Sequence, residues 1–243
     1  MKKMKIPKAV LFDYGGTLFN DGESHLPDAV KALRLAADNP EATTDDELLS
    51  LTKNLWSRLK QNENGSDVDI QLTSMIENIT KQAGLHYSIS LEECGIIFDM
   101  NHCSERRPVS NIAGLLEALK AKEIRTAVIS NTVMSGIQMK ASISTLMPES
   151  NFEFVYTSAD FVFKKPCGDM FLAAAKNMGL KPCDCWYCGD SFNNDVIGSS
   201  KAGMFPVFYN EQAEKGSELT KINSIECFVI NDWAEFTKMI EAL

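Results

Sequence analysis

The chain has no apolar run approaching the roughly 20 residues that a membrane helix requires. Its net charge is −9, so it lacks the positive excess that draws proteins to nucleic acids and anionic membranes. Neither is expected as a partner, although a local basic site stays open. Histidine is scarce, and the three present, His25, His86 and His102, show no metal-ligand spacing. The seven cysteines are an odd number without the spacing of a disulfide scaffold. A chain of 243 residues does not need such staples, since at this size roughly 70% of the unfolded surface is buried on folding. The expected compartment is a reducing cytoplasm. The start, Met1 to Lys8, is basic, but the apolar run after it is only Ala9 to Phe12. That is shorter than the ~7–15 residues of a signal-peptide core.

What is there falls into three textures. Lys8 to Phe12 is a short apolar run that ends at Asp13, Tyr14, Gly15 and Gly16, the profile of a buried strand feeding a loop. From Asn20 to Arg107 the periodicity is helical. Thr44 with Glu47 and Ser90 with Glu93 have capping-box spacing. Leu48, Leu51, Leu55, Trp56 and Leu59 form one helical stripe, and Ile70, Met75, Ile76 and Ile79 a second, with a polar break over Asn62 to Ser66. No strand is expected there.

After Pro108, helix and strand alternate. A helix through Ile112, Leu115, Leu116 and Leu119 precedes a strand over Thr126 to Ile129. Strands follow near Phe152 to Tyr156, Cys185 to Cys188, Met204 to Tyr209 and Cys227 to Ile230, with a helix near Met170 to Met178. Short buried strands separated by helices imply an α/β fold, a doubly wound parallel sheet with helices on both faces. The helical block is then an insertion directly after the first strand. Residues 1–19 and 108–243 are expected to form the α/β core, and residues 20–107 an inserted helical domain.

In such sheets, ligands bind beyond the carboxyl ends of the strands. The residues standing there are Asp13, Tyr14, Gly15, Gly16 and Thr17; then Ser130, Asn131 and Thr132; then Lys164, Lys165 and Pro166; and finally Gly189, Asp190, Ser191, Asn194 and Asp195. Carboxylates, a lysine, small hydroxyls and glycines gathered at one edge can hold an oxygen-ligated cation against a phosphate-like anion.

In that order the four segments resemble the motifs of the haloacid dehalogenase-like (HAD) hydrolase superfamily. They are Phe12-Asp13-Tyr14-Gly15-Gly16-Thr17-Leu18, Val128-Ile129-Ser130-Asn131, Lys165-Pro166, and Gly189-Asp190-Ser191 continuing to Asn194-Asp195. The helical insertion stands where that family places its helical cap of the first class. The resemblance implies that Asp13 is a nucleophile forming an aspartyl-phosphate with a small-molecule phosphate ester. Ser130, with the backbone around Gly16 and Asn131, would hold the phosphoryl oxygens. Lys165 would offset the charge of phosphate and Asp13. Asp13, Asp190 and the carbonyl of Gly15 would bind Mg2+, and Asp195 would either reach the metal through water or orient Lys165.

One position departs from the family's phosphatase pattern, which places a second aspartate two residues after the nucleophile as general acid and base. Here that position is Gly15. Positioned acid–base catalysis is worth on the order of 10²–10⁴ in rate. Three expectations follow: a phosphatase for esters whose leaving group needs little protonation, a 2-haloacid dehalogenase-like hydrolase, or a binding or regulatory protein without turnover. The dehalogenase branch uses no metal, which Asp190 argues against, and wants an arginine near the start of the cap, for which Arg34 is the nearby candidate.

Other signals have plainer expectations. Cys183, Cys185 and Cys188 are read as small core residues rather than a zinc site, because strand neighbours face opposite ways. Trp56 and Phe98 are read as interior of the insertion, Lys164 as solvated, and Arg106-Arg107 as the second linker. His25 is a minor candidate for the cleft.

Overall fold

The computed structural model describes residues 6–62, 69–213 and 218–242. Residues 1–5 of the basic start and residues 63–66 of the expected break lie outside them, while Asn62, expected to open that break, is still helical. Among the described residues, no helix is long and apolar enough to cross a membrane.

Strand β1 (Ala9–Phe12) is an unbroken apolar run, and all four residues are fully buried. Such a run is stable only in the middle of a sheet covered on both faces. That is where it lies, between β4 (Arg125–Ser130) and β6 (Cys185–Gly189), parallel to both, with Phe12 opposite Val128 on one side and Cys188 on the other. With β5 (Val155–Thr157), β7 (Phe205–Tyr209), β8 (Glu218–Ile222) and β9 (Ile225–Ile230), the sheet runs β5-β4-β1-β6-β7-β9-β8. Only β8 is antiparallel, paired to β9 through a two-residue turn whose Asn223 and Ser224 have φ of 49° and 68°. Positive φ at both positions matches the turn to the twist of a hairpin.

Alternating side chains of the strands enter two cores. Val10, Phe12, Trp186 and Cys188 pack with Ile112 and Leu115 of α5 (Ile112–Ala121) and with Trp233 and Phe236 of α10 (Trp233–Glu241). Leu11, Ile129, Cys185 and Tyr187 pack on the opposite face with Phe171 and Ala174 of α8 (Asp169–Asn177). The chain leaves β1 to one side through β4 and β5, then crosses to β6 and continues the other way. That reversal opens a crevice at the carboxyl end of β1.

Between β2 (Phe19–Asn20) and β3 (Arg107–Pro108), which pair antiparallel as a short ribbon, lie the helices α1 (Leu26–Leu35), α2 (Asp45–Asn62), α3 (Leu72–Gln82) and α4 (Leu91–His102). Both anticipated capping boxes form. The Thr44 and Glu47 backbone N–H groups each donate to the other's side chain, at 3.0 and 3.2 Å, and Ser90 with Glu93 does the same at the start of α4. The ribbon is a departure from the expectation of no strand around the insertion, and its two-residue strands are too short to show a period.

Among the described residues, α10, the one-turn helices α7 (Ser158–Phe161) and α9 (Gly198–Lys201), and one longer helix after β4 were not evident from the sequence. In α6 (Gly136–Leu146) the inward residues include the polar Gln138 and Ser142, while Ile137 is 67% exposed, so the apolar stripe is blurred. Gln138 closes a capping box with Ser135, and Ser142 bonds Tyr14 and Arg106.

Candidate active site

Asp13 follows the last residue of β1, and its backbone N–H still donates to the Cys188 carbonyl at 2.8 Å, so the carboxylate is placed by the sheet itself. The chain then folds back on itself. The Leu18 and Phe19 N–H groups both donate to the Tyr14 carbonyl, at 2.9 and 3.0 Å, and Gly16 N–H donates to the Phe19 carbonyl at 2.8 Å. Gly16 has φ of 68°, and a β-carbon there would lie 2.3 Å from Oδ2 of Asp190. Both the turn and the approach of Asp190 thus require glycine. Gly15 is different: a β-carbon there would meet nothing within 4 Å.

Lys165 is the centre of the arrangement. Its ammonium, almost entirely buried, donates at 2.7 Å to Asp13 Oδ1, at 2.7 Å to Asp195 Oδ1 and at 2.9 Å to the Tyr187 hydroxyl. Tyr187 in turn donates to the Ile129 carbonyl at 2.7 Å. A buried ammonium is costly unless paired and hydrogen-bonded. Burial alone would push the Lys165 pKa down, but the two adjacent carboxylates outweigh it and the net shift is upward. The amine stays charged.

The carboxylates respond to the same competition. Burial pushes Asp195 up to about 6 against the opposing pull of Lys165. Its other oxygen, Oδ2, accepts from the Ser191 N–H at 2.9 Å. Asp190 is exposed, and partial desolvation with the charge of Asp13 raises its pKa above the ordinary value. Asp13, Asp190 and Asp195 each bring an oxygen to within 4.8 Å of the others. Three carboxylates facing one ammonium leave a surplus of negative charge. Hard oxygen donors with such a surplus suit a divalent cation such as Mg2+, and the residues present fit one.

At the end of β4, Ser130 is buried beside this cluster. The Asn131 carboxamide pairs with the backbone of Lys165 in both directions, accepting from its N–H at 2.7 Å and donating to its carbonyl at 2.9 Å. The side chain of Asn131 therefore locks the loop that carries the lysine.

A cavity of about 380 Å³ opens between these loops and the inserted helices. Gly15, Ser130 and Asn131 stand at one end, and Trp56, Leu59, Met75 and Phe98 form its apolar wall. Phe98 is interior as expected, whereas Trp56 is half-buried and faces the cavity, with the Phe98 ring 6.3 Å away, edge to face. Arg106, expected as a linker residue, is a buried anchor at the cavity floor. It forks onto Asp99 at 2.6 and 3.0 Å, reaches Asp21 at 2.5 Å and Ser142 at 2.9 Å, and lies 5.4 Å over the Tyr14 ring. The signal for it was an arginine beside the linker with one aspartate in the loop after β2 and another in α4, a pattern too common to single out.

Other residues are corrected or left aside. Lys164 is not free in solvent but pairs with Asp69 at 3.1 Å, and Asp69 also accepts from Ser158. Cys185 and Cys188 are buried, while Cys183 is exposed. Arg34 is engaged with Asp45 at 2.5 Å and the Pro40 carbonyl at 2.8 Å, within the insertion. His25 stands near Glu105, at 3.7 Å, rather than at the cavity. Asn194 contributes a backbone N–H, which donates at 3.3 Å to Oγ of the capping residue Ser191, and its neighbour Asp195 holds the lysine.

Comparison with known proteins agrees with this architecture. The chain is 26% identical over 235 residues to the glyceraldehyde 3-phosphate phosphatase of Methanothermobacter thermautotrophicus, covering 96% of this chain and 99% of that protein. Among solved structures, an HAD phosphatase from Thermococcus onnurineus superposes with a TM-score of 0.59 at 21% identity, over 96% of this chain and 97% of the other. A 2-haloacid dehalogenase from Pseudomonas syringae pv. Tomato gives a TM-score of 0.61 at 18% identity, over 98% and 99% of the two chains. These structural likenesses share the fold across both chemistries. The haloacid dehalogenase-like hydrolase family matches residues 7–203, which include Asp13, Ser130, Lys165, Asp190 and Asp195, and the chain belongs to that family of hydrolases.

Proposed function

We propose that the protein is a magnesium-dependent phosphatase of a small phosphorylated metabolite, working through an aspartyl-phosphate on Asp13. The observation that carries this is the buried ammonium of Lys165 held at 2.7 Å from both Asp13 and Asp195, beside an exposed Asp190. A carboxylate approaches a phosphate dianion only if nearby cations offset the repulsion. Lys165 supplies one positive charge. Asp13, Asp190 and the Gly15 carbonyl would hold Mg2+, with Asp195 close by, and the bound cation would supply the remaining charge compensation.

The chain's own groups then have distinct tasks. Asp13 attacks phosphorus and later returns to carboxylate when water attacks the aspartyl-phosphate. Ser130 and the backbone around Gly16 and Asn131 hold the phosphoryl oxygens. Asp195, Tyr187 and the Asn131 carboxamide keep Lys165 in place. Residues 20–107 act as a cap that covers the cavity and excludes water, while residues 1–19 and 108–243 form the catalytic core. The relative named as a phosphatase supports phosphoryl chemistry, and the unpaired cysteines suit a cytoplasmic setting.

The dehalogenase alternative is disfavoured by Asp190, which adds a third carboxylate to a group that a metal-free site has no use for. The experiment is hydrolysis of a panel of phosphate esters with and without magnesium, alongside chloroacetate. Phosphate release that depends on magnesium supports the proposal; magnesium-independent halide release would replace it with dehalogenation. Ester binding with no turnover would replace it with a regulatory role.

A further inference from the structure

The cavity beside Gly15 restricts what can leave. Gly15 offers no side chain, and the two acidic groups lining the cavity, Asp21 and Asp99, are both held by Arg106. They are acceptors in charged pairs, not proton donors. His102, also at the cavity, is pushed toward its neutral form chiefly by burial, stacks on Phe98 and bonds Ser24 Oγ at 2.8 Å. Burial raises the Tyr14 hydroxyl far above its ordinary pKa, and its bond is to Ser142 at 3.1 Å. Lys60 also lines the cavity, as an exposed ammonium on α2. Among the described residues there, no carboxylic acid or imidazolium stands ready to protonate a departing oxygen. An oxygen that leaves unaided must be stable as an anion.

The cavity wall adds an independent restriction. Trp56, Leu59, Met75 and Phe98 present apolar and aromatic surface, and Ile70 at the same cavity is 41% exposed. The arginine at the floor has four of its five N–H donors engaged by Asp21, Asp99 and Ser142. A small hydroxylated leaving group would gain little from such a wall and would lose its water. A flat apolar ring would remove apolar area from water on both sides.

We propose that the phosphate of the physiological substrate is esterified to a flat apolar ring through an acidic aryl or enol oxygen. This rests on the phosphatase function proposed above and specifies its substrate. An Asp13 oxygen forms a bond to phosphorus while the bond from phosphorus to the ring oxygen breaks. The electron pair goes to that oxygen, where the ring delocalises it. Water then bonds to phosphorus, the Asp13–phosphorus bond breaks to restore the carboxylate, and the proton released by water ends on the ring oxygen. The products are the phenol or enol and inorganic phosphate.

The test compares esters on the intact enzyme with magnesium. Phenyl and 2-naphthyl phosphate have leaving groups of similar acidity but different apolar area, and acetyl phosphate and glyceraldehyde 3-phosphate serve as small polar counterparts. The expected kcat/KM for 2-naphthyl phosphate exceeds that for phenyl phosphate by about fivefold, mainly through KM, in keeping with the extra buried area. Both aryl esters should exceed glyceraldehyde 3-phosphate. In Trp56→Ser the ratio of naphthyl to phenyl should fall toward about one; a ratio unchanged by that substitution would contradict the assignment of the wall. Hydrolysis of acetyl phosphate or glyceraldehyde 3-phosphate at or above the aryl rates would overturn the aryl proposal while leaving the phosphatase intact. No hydrolysis of any ester would overturn the phosphatase itself, and this inference with it.

Discussion

Gly189 and Asp195 fit together so closely that a β-carbon on Gly189 would lie 2.3 Å from the carboxyl carbon of Asp195. The wide turn Phe192–Ile197 brings the aspartate back under the end of β6, where it takes one side of Lys165. A side chain at residue 189 must push the carboxylate off the ammonium.

Gly189→Ala should therefore lose activity without touching substrate. Overpacking of a close-packed site costs roughly 1–3 kcal/mol, so the variant should fold with a lowered melting temperature. Its kcat should fall by at least about tenfold, since a small misplacement of a catalytic group has large effects. Circular dichroism melts together with steady-state rates check this; an unaltered kcat would show that Asp195 does not position the lysine.

The pH dependence of stability should report the same carboxyl. Burial raises Asp195 from 3.8 to about 6, so the folded state keeps its proton to higher pH than the unfolded chain does. The stability linked to that proton is fully present below about pH 4 and is lost as pH rises through about 6. Lys165, raised as well, keeps its charge throughout this window. Asp195→Asn should flatten the decline of unfolding free energy over that range, measured by urea melts at several pH values. Parallel curves for the two proteins would place the titration elsewhere.

Gly15→Asp should fit, because nothing stands within 4 Å of the new β-carbon. It should speed hydrolysis of alkyl phosphates, which need a proton on the leaving oxygen, by about tenfold or more. Aryl phosphates should gain little. Equal rates on alkyl esters before and after the change would mean that protonation is not what limits the enzyme.

The sheet and the cluster at its edge were legible because both depend on local signals. Ala9 to Phe12 is wholly apolar, which marks a central strand, and the residues after β1, β4 and β6 converge by topology alone. What escaped was set by partners distant in sequence. Tyr187 appears as one more apolar strand residue, and only folding brings its hydroxyl to 2.9 Å from Lys165. Arg106 becomes an anchor because Asp21, Asp99 and Ser142 reach it from separate segments. In the same way α6 was hidden because its inward face carries polar residues whose partners are unknown until the chain is packed. The hairpin strand β8 was missed because it lies at the sheet edge, where Leu219 is left 47% exposed and burial imposes no pattern.

The central claim is that Asp13 carries the phosphoryl group. Acid-quenching the enzyme during turnover and mapping the phosphoryl group by peptide mass spectrometry tests it directly. The expected result is a phosphorylated peptide with the group on Asp13 in the wild type, no such peptide in Asp13→Asn, and turnover lowered by at least roughly 10³-fold in that variant. Undiminished turnover by Asp13→Asn, or a phosphoryl group mapped to another side chain, would contradict the account.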